Sequence, residues 1–376
     1  MLAFLRVPGP KDPDAEPRPL GDVLSLSWTE RVLPAIFELD AAGDAPIGER
    51  RGVSTLITES TLESFQRDGF ILIEDLFDPA VDFAPLFGEF SHVLSAIAAS
   101  LLAQGVVSSS YEELPFAGRL IALSTESGRN FSQAFDISLP QGGIASDTPM
   151  FLSDTVFGII TAPKVLDVIE ELIGPEIASN PVQHIRMKLP AQALAAEGTR
   201  NYLTAGVAWH QDLGVLTEEA DAATILSCWM AITDATVENG CLKVLPGSHR
   251  KDLVDHCPTT AGIGIPDRLL ALEEATPLPM RAGSVLIFGQ NLIHGAIDNS
   301  TDDQVRISMD LRYQPPDQPS GRPDFPSFIA RSASDPASVL VDPERWRRLW
   351  AGTRGRLAER ELGKFNRWDA DSPGCA

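Results

Sequence analysis

Six histidines occur in the chain, at positions 92, 184, 210, 249, 256 and 294. His210 stands in Trp209-His210-Gln211-Asp212, inside an apparent strand over 207–216. Side chains alternate across a strand, so the His210 imidazole and the Asp212 carboxylate share a face and can meet one ion. A third donor must come from a distant segment, and His294, closing the apolar run that begins at Ser284, is placed to supply it. Two imidazoles and one carboxylate on one side of a metal leave its other side open. That arrangement suits non-haem Fe(II) binding a cosubstrate and O2 together. A His-x-Asp pair alone is a weak signal. Downstream, Val305-Arg306-Ile307-Ser308 sets Arg306 and Ser308 on one strand face. A buried arginine fork beside a hydroxyl is a receptor for the far carboxylate of a dicarboxylate, although an isolated arginine is more often half of a surface salt bridge.

The remaining histidines divide. His249, in Pro246-Gly247-Ser248-His249, is expected to stabilise a turn, and His92 and His256 carry no functional expectation. In Gln183-His184-Ile185-Arg186-Met187-Lys188 the three basic side chains share one face. His184, Arg186 and Lys188 either line a barrel mouth and receive an anionic substrate group or pair with surface carboxylates; both readings stay open.

These residues sit in a chain of 376 residues with 52 acidic and 30 basic side chains, a formal charge of −22 and a pI near 4.6. Such a balance repels phosphate backbones and anionic lipid, so neither nucleic acid nor membrane is expected as a partner. It also weighs against acyl-CoA and favours a small metabolite or natural-product intermediate. No apolar stretch of membrane-spanning length is evident; the longest candidate, 93–107, is broken by Ser95, Ser100, Gln104 and Gly105. The N-terminus lacks the pattern of a signal peptide. Cys228, Cys241, Cys257 and Cys375 show no CxxC spacing and read as free thiols of a cytoplasmic protein, monomeric or homodimeric.

The elements that must position the site follow from periodicity and punctuation. Residues 1–60, rich in Pro, Gly and charge, read as an extension packed on the core. Helices are expected from a capping box at Ser60, over 80–104, over 163–173 behind Pro163, and over 343–365. From about 180 onward, short β-branched runs at 182–189, 207–216, 224–232, 242–245, 284–288 and 305–313 alternate with turn residues. Helices first and strands later predict an antiparallel barrel or jelly roll buttressed by N-terminal helices.

Taken together, the segments Leu62-Glu-Ser-Phe65-Gln-Arg-Asp-Gly69-Phe-Ile-Leu-Ile73, Glu238-Asn-Gly-Cys-Leu-Lys-Val-Leu-Pro-Gly-Ser-His249, the His-x-Asp pair, the distal histidine and Arg306-x-Ser308 occur in the order of the phytanoyl-CoA dioxygenase family, which this chain resembles over 61–315. The resemblance implies a mainly β fold with flanking helices, a double-stranded β-helix of cupin type. It leaves 316–376 as a C-terminal extension with a Trp- and Arg-rich helix. It further implies an Fe(2+)- and 2-oxoglutarate-dependent dioxygenase with O2 as cosubstrate, hydroxylating a small molecule and releasing succinate and CO2. His210, Asp212 and His294 would bind iron; Arg306 and Ser308 would hold 2-oxoglutarate, approached also by Gln211 and Trp229. Gln211 takes that role only if the strand twists or ends there. Where relatives often carry Ser or Thr two residues after the distal histidine, this chain has Ala296, which leaves the cosubstrate more dependent on Arg306. An inactive ligand-binding member of the family, an acyl-CoA oxygenase and an oxygenase performing desaturation or ring chemistry are the competing expectations. A nucleotide-binding parallel sheet is disfavoured because GxGxxG and GxxxxGK[ST] are both missing.

Overall fold

The structure, a computed structural model, describes residues 57–194, 207–259, 262–360, 363, 366–369 and 371–375. Apart from its last residues, the expected N-terminal extension lies outside these. The first helix, α1 (Glu59–Asp68), begins two residues earlier than the Ser60 capping box suggests: the Thr58 hydroxyl accepts from the Thr61 N–H at 3.2 Å. It ends at Gly69, whose φ of 88° is left-handed. A Cβ there would lie 2.3 Å from Nδ1 of His249, so only glycine lets that buried ring pack against the α1–β1 junction. Four more helices follow: α2 (Ala84–Ala103), entered through a π turn at Pro79–Phe83, then α3 (Phe116–Ser127), α4 (Asp154–Ile160) and α5 (Pro163–Ile173).

Contrary to the sequence expectation, one helical stretch, Pro79–Ala103, is long and apolar enough to cross a membrane, with a mean hydropathy of 1.5 and 28% of its apolar window buried. Its Leu86, Phe90, Leu94, Ala98 and Leu101 form a face buried in the core. The expectation overlooked the stretch because it started the apolar run at Val93, one turn past Phe90.

Among the described residues there are twelve strands: β1 (Phe70–Ile73), β2 (Ile177–Ser179), β3 (His184–Lys188), β4 (Leu226–Ala231), β5 (Leu242–Val244), β6 (Cys257–Thr259), β7 (Gly262–Gly264), β8 (Thr276–Leu278), β9 (Val285–Gly289), β10 (His294–Ala296), β11 (Arg306–Gln314) and β12 (Phe328–Arg331). The major sheet runs β1-β9-β4-β11-β2-β12, with β3 also paired to β11; β10-β5-β8 form a second sheet and β6-β7 a hairpin. Every pairing is antiparallel.

Period-two alternation divides the major sheet between two cores. Cys228, Met230, Val285, Ile287, Ile307, Met309 and Leu311 face the helices. Trp229, Ala231, Leu286 and Phe288 face inward and pack with Leu242, Val244 and Ala296 of the second sheet. Two antiparallel sheets packed over a shared interior and buttressed by helices are the double-stranded β-helix that was expected.

Two expectations need correction. Residues 207–216 are no continuous strand: His210 makes only an isolated bridge with His294, and Asp212–Val215 is a 3₁₀ turn. The cysteines are not all free either. Cys257 is disulfide-bonded to Cys375, 118 residues away, while Cys228 and Cys241 are buried free thiols. A pairing this distant leaves no local spacing signal. At the C-terminus α6 (Pro343–Ala358) buries Trp346 and Trp350 completely. Phe365, another aromatic of that segment, lies outside the described residues.

Candidate active site

His210 and His294 meet because their backbones pair: each N–H donates to the other's carbonyl, at 2.8 and 2.9 Å. The ring centroids lie 4.2 Å apart. In each ring Nδ1 faces a backbone carbonyl two residues earlier, Ala208 at 2.9 Å and Leu292 at 3.0 Å. These bonds assign the proton to Nδ1 and leave both Nε2 lone pairs free as ligands. Asp212 completes the cluster by turning at the head of its 3₁₀ turn. Its Oδ1 lies 3.8 Å from Nε2 of His210 and 3.9 Å from Nε2 of His294. The three donor atoms fall within 4.8 Å of one another.

Burial, helped by the neighbouring His294, pushes His210 down to about 4, and burial also lowers His294. Both rings are therefore neutral at pH 7, as a metal ligand must be. For Asp212 burial opposes ionisation, but Arg312, the two imidazoles and the Ser227 hydroxyl outweigh it and hold the carboxyl below its usual value. Two neutral imidazole nitrogens and one carboxylate oxygen, converging from one side, fit an Fe(II) ion with open positions.

The sequence did not flag what fixes that carboxylate. Ser227 donates to Asp212 Oδ2 at 2.5 Å and Arg312 Nη2 to Oδ1 at 2.6 Å. These two are direct cross-strand partners, on β4 and β11. Arg312 was within reach of sequence reasoning, since strand alternation carries the Arg306 face through Ser308 and Asp310 to position 312. His256 was also passed over; its Nε2 accepts from the Gln211 N–H at 3.0 Å, bracing the backbone between the two candidate ligands His210 and Asp212.

Arg306 and Ser308 stand on the same inward face of β11. Arg306 donates through Nη1 to the Ser308 hydroxyl at 2.7 Å and through Nε to the Gly240 carbonyl at 3.2 Å, and it stacks 5.3 Å over Trp229. No hydrogen-bond partner for its Nη2 occurs among the described residues. Burial lowers this guanidinium to about 10, which leaves it charged at neutral pH. A buried cation with a free donor beside a hydroxyl fits a carboxylate. Gly240, in the Glu-Asn-Gly-Cys segment, has a φ of 93°, and a Cβ would lie 2.6 Å from both the Ile297 carbonyl oxygen and the Lys188 side chain. That motif is thus a turn built without a side chain so that its carbonyl can reach Arg306.

Of the other predicted residues, Trp229 joins the Arg306 end. The structure does not bring the Gln211 side chain to the cluster: its amide bonds the carbonyls of Asp252 and Asn291 and the N–H of Val254. Of the basic stripe on β3, Lys188 lies opposite Arg306, Arg186 opposite Ser308 and His184 opposite Asp310. Lys188 donates to the Ile297 carbonyl at 2.6 Å, and burial followed by the charge of Arg306 lowers it to about 7. His184 holds Asp136 through Nδ1 at 2.9 Å, with Arg186 3.8 Å from the same carboxylate.

The phytanoyl-CoA dioxygenase (PhyH) family model matches residues 65–308. The chain is 26% identical over 269 residues to phytanoyl-CoA dioxygenase domain-containing protein 1 of Mus musculus, covering 65% of this chain and 86% of that one. To a probable phytanoyl-CoA dioxygenase of Caenorhabditis elegans it is 31% identical over 160 residues, 40% of this chain and 49% of that one. Among solved structures, the non-heme monooxygenase ThoJ in its apo form shares the fold at 19% identity, with a TM-score of 0.50 over 79% of this chain and 96% of its own. With the family model covering more than half of the chain and every donor of the His-Asp-His cluster, the chain belongs to the phytanoyl-CoA dioxygenase family, as an oxygenase whose site takes iron and 2-oxoglutarate.

Proposed function

We propose that the protein hydroxylates an unactivated C–H bond of a small metabolite or natural-product intermediate, releasing succinate and CO2. One observation carries this reading: the three metal donors converge inside the barrel, and the Arg306–Ser308 pair opens on the same interior. When bound, iron and 2-oxoglutarate supply the O2 activation that C–H chemistry requires. The protein's own part is positional. His210, Asp212 and His294 keep to one side of the metal, and Arg306 with Ser308 anchors the far carboxylate of the cosubstrate. Trp229 shields that carboxylate from water. Asp212 as a ligand occupies a position that halide would need, which favours hydroxylation over halogenation. His184 and Arg186, one strand further along, are the groups we assign to a polar part of the substrate. Net charge argues against acyl-CoA, whose phosphates would have to approach a chain of −22.

A substrate screen under O2 with Fe(II) and 2-oxoglutarate tests the reading, following succinate and oxygen from 18O2 in the product. Succinate release that depends on iron and on a substrate, with one 18O atom per product, is the expected result. No iron-dependent succinate under any condition would instead support an inactive ligand-binding member of the family, and a desaturated product without 18O would reassign the outcome.

A further inference from the structure

Asp310 is the one residue of β11 that is not buried; every other position from Arg306 to Gln314 is closed off. Its neighbours Met309 and Leu311 face the helices, so by alternation its opening is onto the interior of the barrel. Oδ1 is enclosed and accepts no hydrogen bond. Oδ2 stands 4.0 Å from Arg312 Nη2, beyond hydrogen-bond range, and the side chain keeps 21% of its surface open. Burial raises this carboxyl above its usual value; Arg312 opposes that and the nearby Asp212 adds to it. An acid to which no described residue donates is costly unless something entering the site supplies the donor.

Register supplies its surroundings. Asp310 lies between His184 on β3 and Trp229 on β4, directly opposite each, and opposed residues project to the same face. Along β3 only His184 and Arg186 are less than fully buried, so the openings of the two strands adjoin. Asp136 fixes His184: its Oδ2 lies 2.9 Å from Nδ1, and its Oδ1 accepts from the Ile185 N–H. Burial lowers His184, so at pH 7 the ring is neutral, with its proton on Nδ1 and no partner for Nε2 among the described residues. Arg186, the nearest cation on β3, is one rung away opposite Ser308 and faces Asp136 at 3.8 Å. The rung of Asp310 and His184 therefore presents two acceptors beside the Trp229 ring. Such a rung repels a dicarboxylate, which sets it apart from the seat of the cosubstrate.

We propose that Asp310, with His184 beside it, selects the substrate by accepting hydrogen bonds from a hydroxyl or amine that the substrate carries. The substrate class is then small alcohols and amines rather than carboxylates or phosphates. This deepens the reading of the site as a small-molecule oxygenase, and rests on it.

Ligand-observed NMR on the Mn(II)-loaded protein, under argon with saturating 2-oxoglutarate, tests it, because Mn(II) shortens the proton relaxation of a molecule bound nearby. The probes are cyclohexylmethanol, cyclohexylmethylamine and cyclohexanecarboxylate, which share a ring and differ in the polar group. Wild type should bind the alcohol or the amine about tenfold or more tighter than the carboxylate, as a hydrogen bond to a charged group requires. Asp310→Ala should abolish that preference while melting no lower than wild type, since nothing in the fold hydrogen-bonds this acid. Asp310→Asn keeps an acceptor oxygen without the charge: retained alcohol binding would assign a hydroxyl and lost amine binding an ammonium, and either supports the proposal. A preference for the carboxylate, no relaxation of any probe, or wild-type selectivity in Asp310→Ala would each overturn the assignment while sparing the metal centre. A wild-type protein that took up no Mn(II) would overturn both.

Discussion

At Asp212 the candidate metal ligand and the counter-ion of Arg312 are the same carboxylate, and that shapes what mutagenesis will report. Asp212→Ala removes a ligand but also leaves Arg312 buried without its partner, a change that costs about 3–5 kcal/mol in comparable buried pairs. Loss of activity in that variant would therefore mix chemistry with unfolding. His294→Ala is cleaner, since it deletes one imidazole and strands no charge. It should abolish succinate production and metal uptake with a far smaller fall in melting temperature than Asp212→Ala. Retained iron and activity in His294→Ala would remove that residue from the site. For Arg306→Lys the charge stays and the fork is lost. Roughly 2–5 kcal/mol goes with a contact of this kind, so 2-oxoglutarate half-saturation should rise about 30-fold or more. An unchanged value would show that the distal carboxylate binds elsewhere.

Among the elements, α6 has the clearest energetic role. Trp346 and Trp350, four residues apart on one face, are both 0% exposed, and Trp346 packs 5.6 Å from the Phe157 ring of α4. Arg347 reinforces this docking through Asp154 at 2.5 Å. Trp346→Ala should cost about 3–5 kcal/mol, the usual range for deleting a buried aromatic. Truncation after Pro316 removes β12 and the whole helix and should cause aggregation or a clear drop in melting temperature; a truncated protein as stable as the full chain would contradict the packing. The chain beyond α6 acts differently, crossing the loop that follows Asp212. Arg367 donates to the carbonyls of Leu216 and Thr217 and pairs with Asp221, and its N–H bonds the Gly214 carbonyl.

For the whole molecule, buried histidines tie stability to pH. His210, His249 and His256 are each lowered from 6.5 to about 4, chiefly by burial. A group held neutral in the folded state but free to protonate when unfolded contributes stability that is complete above its unfolded value. That contribution is lost as pH falls from about 6.5 toward the folded values near 4. The metal-free protein should hold a steady melting temperature from about pH 8 to pH 7 and lose it progressively below pH 6.5. A flat profile down to about pH 4.5 would mean that these rings charge freely in the fold.

Local pattern carried far into this protein. Alternation in 305–313 and 224–232 set which side chains face inward, because a strand's pleat is a property of the backbone alone. Pro163 and Gly174 bounded α5 at its observed ends for the same kind of reason. Six residues of the candidate centre, His210, Asp212, His294, Arg306, Ser308 and Trp229, were legible in the chain. What neighbours what was not. The 3₁₀ turn at Asp212, the grip of Ser227 and Arg312 on it, the support of Gln211 by His256 and the disulfide across 118 residues each depend on segments meeting across the barrel. Spacing along the chain cannot encode those meetings, because strand order and register are decided by which faces bury together.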